Sequence, residues 1–307
     1  MAATAEAGET VGVIGVGKIG LPIAHNLVKS GYRVLGYRRH PMTEFEKIGG
    51  IPARSPAEIG AQADIVFSCM PSDAALDEVM QGAQGLVQSA RPGQIVVELG
   101  SHPLPVKERQ IAPLAAKGAA FIDGEVSGTP GMVAQRKAVI YLAGDAGACR
   151  TVERVVGGFA DSCLYFGAFG AASKVKLVNN LLVAVHIAAT AEAMALGLKA
   201  GVDVDLMIKA VATGSGGSTQ FGIRAPWMAE RRFLPAQGTA VTLAHYFDMI
   251  HDFAAQAGSA TPIFDSAVEV FRRGIAMGLG EHDVAVMVDV IRSLPPRSTN
   301  ERTGGTS

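Results

Sequence analysis

The stretch VGVIGVGKIGLPIAHNLVKSGYRVLGYRR, residues 11–39, decides how the rest of the chain is read. An apolar β-type run enters Gly15, Gly17 and Gly20, which stand at G-x-G-x-x-G spacing; a helical pattern follows, and a second β-rich run, RVLGY, closes the unit. In such a unit the first glycine permits a tight turn and the second lets backbone approach a pyrophosphate. The third lets helix and strand pack closely. The helix N-terminus adds unpaired N–H groups, so the loop Gly15, Gly17, Lys18, Ile19 and Gly20 is expected to bind the phosphates of a dinucleotide. A ligand-free glycine turn is the alternative, and the strand–turn–helix–strand context weighs against it.

The second strand ends at Tyr37, and Arg38 and Arg39 follow where an NAD-specific site normally places a carboxylate for the ribose hydroxyls. A carboxylate there would repel the extra phosphate of NADP, whereas guanidinium groups form paired, charge-assisted hydrogen bonds to it. Arg39 could also lie against the adenine face. NADP is therefore the expected cofactor, with NAD still admissible; two solvated arginines at a loop start are the bland alternative.

Beyond this unit, DIVFSCM, QIVVEL, AAFID, AVIYLA and CLYF alternate with turn-rich or amphipathic stretches as far as about Phe166. Alternation of this kind predicts a parallel sheet wrapped by helices. After Gly170 only helical patterns follow, over residues 173–200, 204–212, 240–257, 263–277 and 283–293. The expected fold class is an α/β Rossmann-type N-terminal domain followed by an all-α C-terminal domain, joined by a long interdomain helix. Residues 1–10 read as a flexible leader, 11–168 as the dinucleotide-binding domain, 169–294 as a helical substrate and oligomerisation domain, and 295–307 as a flexible tail.

The composition fits an enzyme-like globule: 307 residues, 49% hydrophobic and 18% charged, with 37 glycines. A net charge of −1 provides no field for nucleic acid or anionic lipid, which favours small-molecule partners. No uninterrupted apolar run reaches membrane-spanning length, so no membrane partner is expected. Cys69, Cys149 and Cys163 have neither paired nor metal-ligand spacing, so no metal is expected and a reducing compartment is. The leader lacks the basic and apolar regions of a secretory signal, and a cytoplasmic location follows as an expectation.

Several further stretches, in order and spacing, resemble the β-hydroxyacid dehydrogenase family, which includes 3-hydroxyisobutyrate dehydrogenase and tartronate semialdehyde reductase. They are CMPSD after a strand, VELGSHP, DGEVSGTPGM, and KLVNN opening a helix that runs to AEAMALGLKAGVD. The resemblance covers about residues 11–294. It implies that Met70, Pro71 and Ser101 lie along the cofactor. It also implies that Ser127, Gly128 and Thr129 hold a substrate carboxylate, in the place of a family Ser-Gly-Gly segment. A hydroxyl with exposed N–H groups suits an anion. Thr129 in place of glycine and Glu125 in place of a common proline are departures beside that seat, and both bear on which substrate is taken.

The polar stretch SKVKLVNN, residues 173–180, is sorted by helical geometry. Lys176 and Asn180 are one turn apart, Asn179 lies about 60° away, and Lys174 points elsewhere. The resemblance selects Lys176 as the catalytic residue and Asn180 as its partner, with Asn179 beside the substrate. An ammonium against the reacting oxygen can stabilise a developing alkoxide and supply its proton. His245, where relatives carry a lysine, is expected near the nicotinamide or its ribose, a satisfied helix histidine being the alternative. GSGGSTQFG, residues 214–222, reads as a flexible lid or pocket wall with Phe221 and Trp227 near it. The apolar long helix suggests a homodimer or homotetramer. Two rivals stand beside a hydroxyacid dehydrogenase. Imine reductases share the architecture but usually carry Asp or Tyr at the Lys176 position, and a non-catalytic NADP-binding sensor would need no acid–base residue.

Overall fold

The computed structural model describes residues 9–296, so the leader and tail fall almost wholly outside the described residues. The chain divides into two compact units at Lys176 and Leu177. That division falls inside one helix, Ala171–Lys199, rather than in a linker.

The first unit is an eight-stranded sheet of β1 (Thr10–Ile14), β2 (Arg33–Tyr37), β3 (Ile51–Pro52), β4 (Ile65–Ser68), β5 (Ile95–Glu98), β6 (Ala120–Ser127), β7 (Val139–Ala143) and β8 (Ser162–Tyr165), in the order β3-β2-β1-β4-β5-β6-β7-β8. Strands β4 and β5 are buried at every position, which fits a sheet covered on both faces. The order reverses between β1 and β4, which are parallel neighbours, and this is where open sheets of the kind bind ligands beyond the carboxyl ends of their strands.

Two details differ from the sequence expectation. The two-residue strand β3 pairs with β2 and is too short to carry a period-two signal. The sheet is mixed rather than parallel, because β7 runs antiparallel to β6. Strand β6 does not stop at Asp123 but continues through Gly124, Glu125 and Val126 to Ser127, all paired with β7. The residues left before Val139 are too few for a crossover back to the start of the sheet, so the strand must return antiparallel.

The second unit is helical. Its core gathers Phe247, Phe264 and Phe271, with ring centroids 5.7 and 5.5 Å from Phe247, around the inner face of the long helix at Ala184, Ile187, Ala191 and Met194. The run expected as one helix over 240–257 is two, Ala240–Ala244 and Phe247–Ala257. Between them the Tyr246 N–H bonds the Leu243 carbonyl three residues back, a tightened turn that redirects the chain. The glycine–serine segment is also shorter than expected. Ser218 accepts a hydrogen bond from the Phe221 N–H and caps a helix, Thr219–Ala229, which sends Phe221 into the core and not to a lid. The segment expected as a helix over 283–293 begins with a 3-10 turn, Val284–Val286.

By length and composition the long helix is apolar enough to cross a membrane, a property that the test of an uninterrupted run missed; 44% of its most apolar window is buried inside the protein. Val178, Leu182 and Leu196 on it are exposed, Leu196 at 69%.

A buried ion pair ties this unit together. Asp283 accepts both 2.8 Å contacts from Arg224 Nη1, and further hydrogen bonds from the N–H groups of Gln237, Gly238 and Ala285. Asp283→Ala leaves the guanidinium buried without its counter-charge and should lower stability by about 3–5 kcal/mol in urea unfolding; a loss below about 1 kcal/mol would contradict this role.

Candidate active site

The glycine loop is built as its spacing requires. Gly15 has φ +91°, and a methyl group on it would lie 2.4 Å from the Cys69 carbonyl oxygen; one on Gly20 would lie 2.2 Å from the Gly15 carbonyl oxygen. Those two glycines are demanded by the protein itself. Gly17 is different: beyond its chain neighbours, a methyl group there would meet nothing nearer than the Gly15 oxygen at 4.0 Å. Nothing in the fold forbids a side chain at Gly17, so the space in front of it suits a phosphate approaching the backbone. The helix that begins at Gly20 has no side-chain cap; the Leu21 and Ile23 N–H groups bond the Gly17 and Ile19 carbonyls and Pro22 has no N–H, which leaves the Gly20 N–H at the helix start to a ligand. Lys18 is exposed and Ile19 half-buried on this loop.

Arg38 donates to the Val16 carbonyl at 3.2 Å and lines a cleft of about 230 Å³ with Val16, Leu21, Met42 and Thr43. Arg39 is exposed and forms a 2.6 Å ion pair with Glu78. Arg38, and not Arg39, lines that cleft beside the glycine loop, and Arg39 is turned to the Glu78 carboxylate. These residues fit the adenosine and pyrophosphate end of a nicotinamide dinucleotide, whose bound form would supply or accept the hydride.

Met70, Pro71 and Ser101 follow β4 and β5 at the carboxyl edge, half-buried, exposed and half-buried in turn. At the same edge Ser127 ends β6 and Gly128 follows it. A methyl group on Gly128 would lie 2.9 Å from Ala138 Cβ, so packing alone already requires that glycine. Thr129 caps the short helix Pro130–Ala134, its hydroxyl accepting from the Met132 N–H at 3.3 Å. The departure from glycine has a local cause: threonine supplies a cap that glycine lacks.

Lys176 is 7% exposed and donates to the Val126 carbonyl at 2.8 Å, one residue before Ser127. Burial pushes its pKa below the ordinary lysine range; Glu125 opposes this and Lys107 adds to it. Lys174 is exposed, as helical geometry requires. Further along the same helix, Asn179 is half-buried and donates to Asn180 Oδ1 at 3.1 Å, and Asn180 is buried. His245 belongs to the second unit, where it is exposed at the end of Ala240–Ala244 with its ring edge-on to Tyr246.

Lys107, Asp123, Glu98, His102 and Asp73 at this edge were not anticipated. Lys107, fully buried, donates to Asp123 Oδ1 at 2.9 Å, to the Gly124 carbonyl at 3.0 Å and to Glu125 Oε1 at 2.9 Å. Glu98, at the end of β5, accepts from the Gly100 N–H at 2.7 Å and lies 3.5 Å from His102 Nε2. His102 Nδ1 is 2.7 Å from Asp73 Oδ1. Burial presses the His102 pKa down, but Glu98 and Asp73 more than reverse this, so the ring stays protonated to a higher pH than an ordinary histidine. Glu125 itself was a signal for Lys107: a carboxylate inside a buried strand calls for a cation elsewhere in the chain.

Comparison with known proteins decides the family. The profile of the NAD binding domain of 6-phosphogluconate dehydrogenase matches residues 10–167, and that of the NAD-binding domain of NADP-dependent 3-hydroxyisobutyrate dehydrogenase matches residues 170–291. The chain belongs to the β-hydroxyacid dehydrogenase family. It is 31% identical to the L-threonate dehydrogenase of Cupriavidus necator, over 91% of this chain and 95% of that protein. It is 28% identical to the NAD-dependent L-serine dehydrogenase of Pseudomonas aeruginosa, over 90% and 96%. In fold it matches a 3-hydroxyisobutyrate dehydrogenase structure from Salmonella typhimurium at 24% identity and a TM-score of 0.82, covering 92% of this chain and 99% of that one. An imine reductase from a Pseudomonas species shares the fold at a TM-score of 0.58 and 19% identity, with coverage of 92% and 99%. As a member of the family, the chain is a nicotinamide-dependent oxidoreductase of hydroxy acids.

Gly17 separates cofactor binding from folding. Gly17→Ala should melt within about 2 °C of the wild type, since the added methyl meets nothing nearer than 4.0 Å, yet lose about tenfold or more in dinucleotide affinity measured by fluorescence titration. A variant that binds the dinucleotide normally would remove this loop from the cofactor site.

Proposed function

We propose that the protein interconverts a short β-hydroxy acid and its aldehyde or keto acid, with Lys176 as general acid and base and NADP as the preferred cofactor. The observation that carries this reading is a buried lysine of lowered pKa whose Nζ lies 2.8 Å from the carbonyl that precedes Ser127. In reduction the Lys176 ammonium stabilises the developing alkoxide and protonates it; in oxidation the neutral amine takes the hydroxyl proton. Ser127, Gly128 and the N–H groups around Thr129 hold the substrate carboxylate, and Asn180 orients the lysine. The activities named for the similar L-threonate and L-serine dehydrogenases support a small hydroxylated carboxylate as substrate.

Arg38 in the cleft beside the glycine loop supports NADP. The exposed Val178, Leu182 and Leu196 on the long helix support a homodimer or homotetramer. Three free cysteines with raised pKa values, Cys149 pushed up by burial to about 11, support a reducing, cytoplasmic setting.

A spectrophotometric screen of β-hydroxy acids and their aldehydes, with NADP and NAD in parallel, tests the reading. Lys176→Ala should cut kcat by about 10²–10⁴-fold while cofactor affinity stays within about twofold, and near-normal turnover would refute the assignment. Arg38→Ala should raise the KM for NADP by about tenfold and leave that for NAD unchanged; equal losses would refute the phosphate role. The pH dependence follows from the lowered Lys176 pKa. Reduction needs the protonated form, so its rate should fall as pH rises through a value below the ordinary lysine range, and oxidation should rise through the same value. A pH-independent rate in both directions would contradict acid–base catalysis by this group.

A further inference from the structure

We propose that Glu125, clamped by Lys107, is a positioning residue that fixes the Lys176 ammonium and the Ser101 hydroxyl at the carboxyl edge of the sheet and balances the charge beside them. The proposal rests on the assignment of Lys176 above.

Glu125 is 1% exposed and its two oxygens are used differently. Oε2 accepts from the Ser101 hydroxyl at 2.5 Å. Oε1 accepts from Lys107 Nζ at 2.9 Å and faces the Ser173 hydroxyl at 3.4 Å. The donors around it, an ammonium and hydroxyls, favour the carboxylate form. Burial pushes the Glu125 pKa up, while Lys107, Lys176 and Ser101 pull it back.

Each of these contacts reaches a residue that the reaction uses, or its support. Ser101 stands in the loop after β5, on the cofactor side of the proposed site. Ser173 lies three residues before Lys176 in the first turn of the long helix; its N–H donates to Asp123 Oδ2 at 3.0 Å and its hydroxyl to Asp123 Oδ1 at 2.6 Å. Lys107 also holds Asp123, so one ammonium secures both the strand carboxylate that anchors the helix start and the one that anchors Ser101. Val126, which receives the Lys176 hydrogen bond, is the next residue along β6. Displacing Glu125 therefore disturbs Ser101 on one side and the Lys176 anchor on the other.

The two buried charges act on Lys176 with opposite sign: Glu125 favours its ammonium form and Lys107 disfavours it. Any buried pair of opposite charges within reach would act with these signs, so the fall in kcat in Glu125→Gln is the readout that marks a positioning role. Glu125→Gln keeps the side-chain shape and loses the negative charge, so the alkaline limb of the reduction pH profile should move to lower pH. Lys107→Met should move the limb to higher pH, with Lys176 and the Ser101 hydroxyl holding Glu125 in its ionised form. Each displacement should be about half a pH unit or more, and the double variant should return the limb to within about 0.3 unit of wild type. In Glu125→Gln kcat should fall by about tenfold through the lysine, while the KM for the cofactor, which feels only the change at Ser101, should rise by less than about threefold.

The profile is measured on the full-length enzyme, with the substrate that the screen identifies. Coincident limbs in all variants, or limbs displaced in the same direction, overturn the proposal. Should one single variant not fold, the other single variant and the double variant carry the same comparison, and a double variant displaced as far as the single one overturns it. Lys176→Ala, run alongside, separates the two failures. An inert Lys176→Ala with undisplaced limbs refutes only the positioning role; an active Lys176→Ala refutes the lysine assignment and this proposal with it.

Discussion

A lysine ammonium withdrawn from water has to be answered by acceptors on every side, and at Lys107 that requirement organises the working edge of the first unit. The short helix Leu104–Glu108 that carries it is drawn against β6, where Asp123, the Gly124 carbonyl and Glu125 supply the acceptors. Asp123 then receives the Ser173 N–H and hydroxyl, so the start of the long helix is fixed to the same strand. A buried charge in the sheet thereby determines where Lys176 begins its approach to the end of β6.

The edge that results places two kinds of chemistry side by side without mixing them. Around Gly15, Gly17 and Gly20 the polar groups are backbone N–H groups and a guanidinium, suited to an anion that is held and not changed. Beyond β5 and β6 the groups are titratable and buried: Glu98, His102, Lys107, Asp123, Glu125 and Lys176. Low dielectric there makes each charge felt by the next, which is how a lysine can be brought toward the range in which it both gives and takes a proton.

Much of this was legible in the chain. The G-x-G-x-x-G spacing between two β-rich runs implied the dinucleotide unit, and the 100° step of a helix separates exposed Lys174 from buried Lys176. The antiparallel β7 was missed because β6 was ended at Asp123. Gly124, Glu125 and Ser127 are not strand formers by propensity, and pairing with β7 overrode them. Lys107 was missed for a related reason. In PLPVKERQ it sits within a charged run that reads as a solvated face, and its burial depends on a carboxylate eighteen residues away in sequence. The split of 240–257 left no mark either, since neither glycine nor proline stands at the break.

The most direct test of the central claim, that Lys176 moves the proton, is chemical rescue. Lys176→Ala, assayed in the reducing direction with the cofactor bound, should regain turnover when small primary amines are added, with a rate that depends on the pKa of the amine. A Lys176→Ala enzyme that turns over at the wild-type rate with no amine present would contradict it.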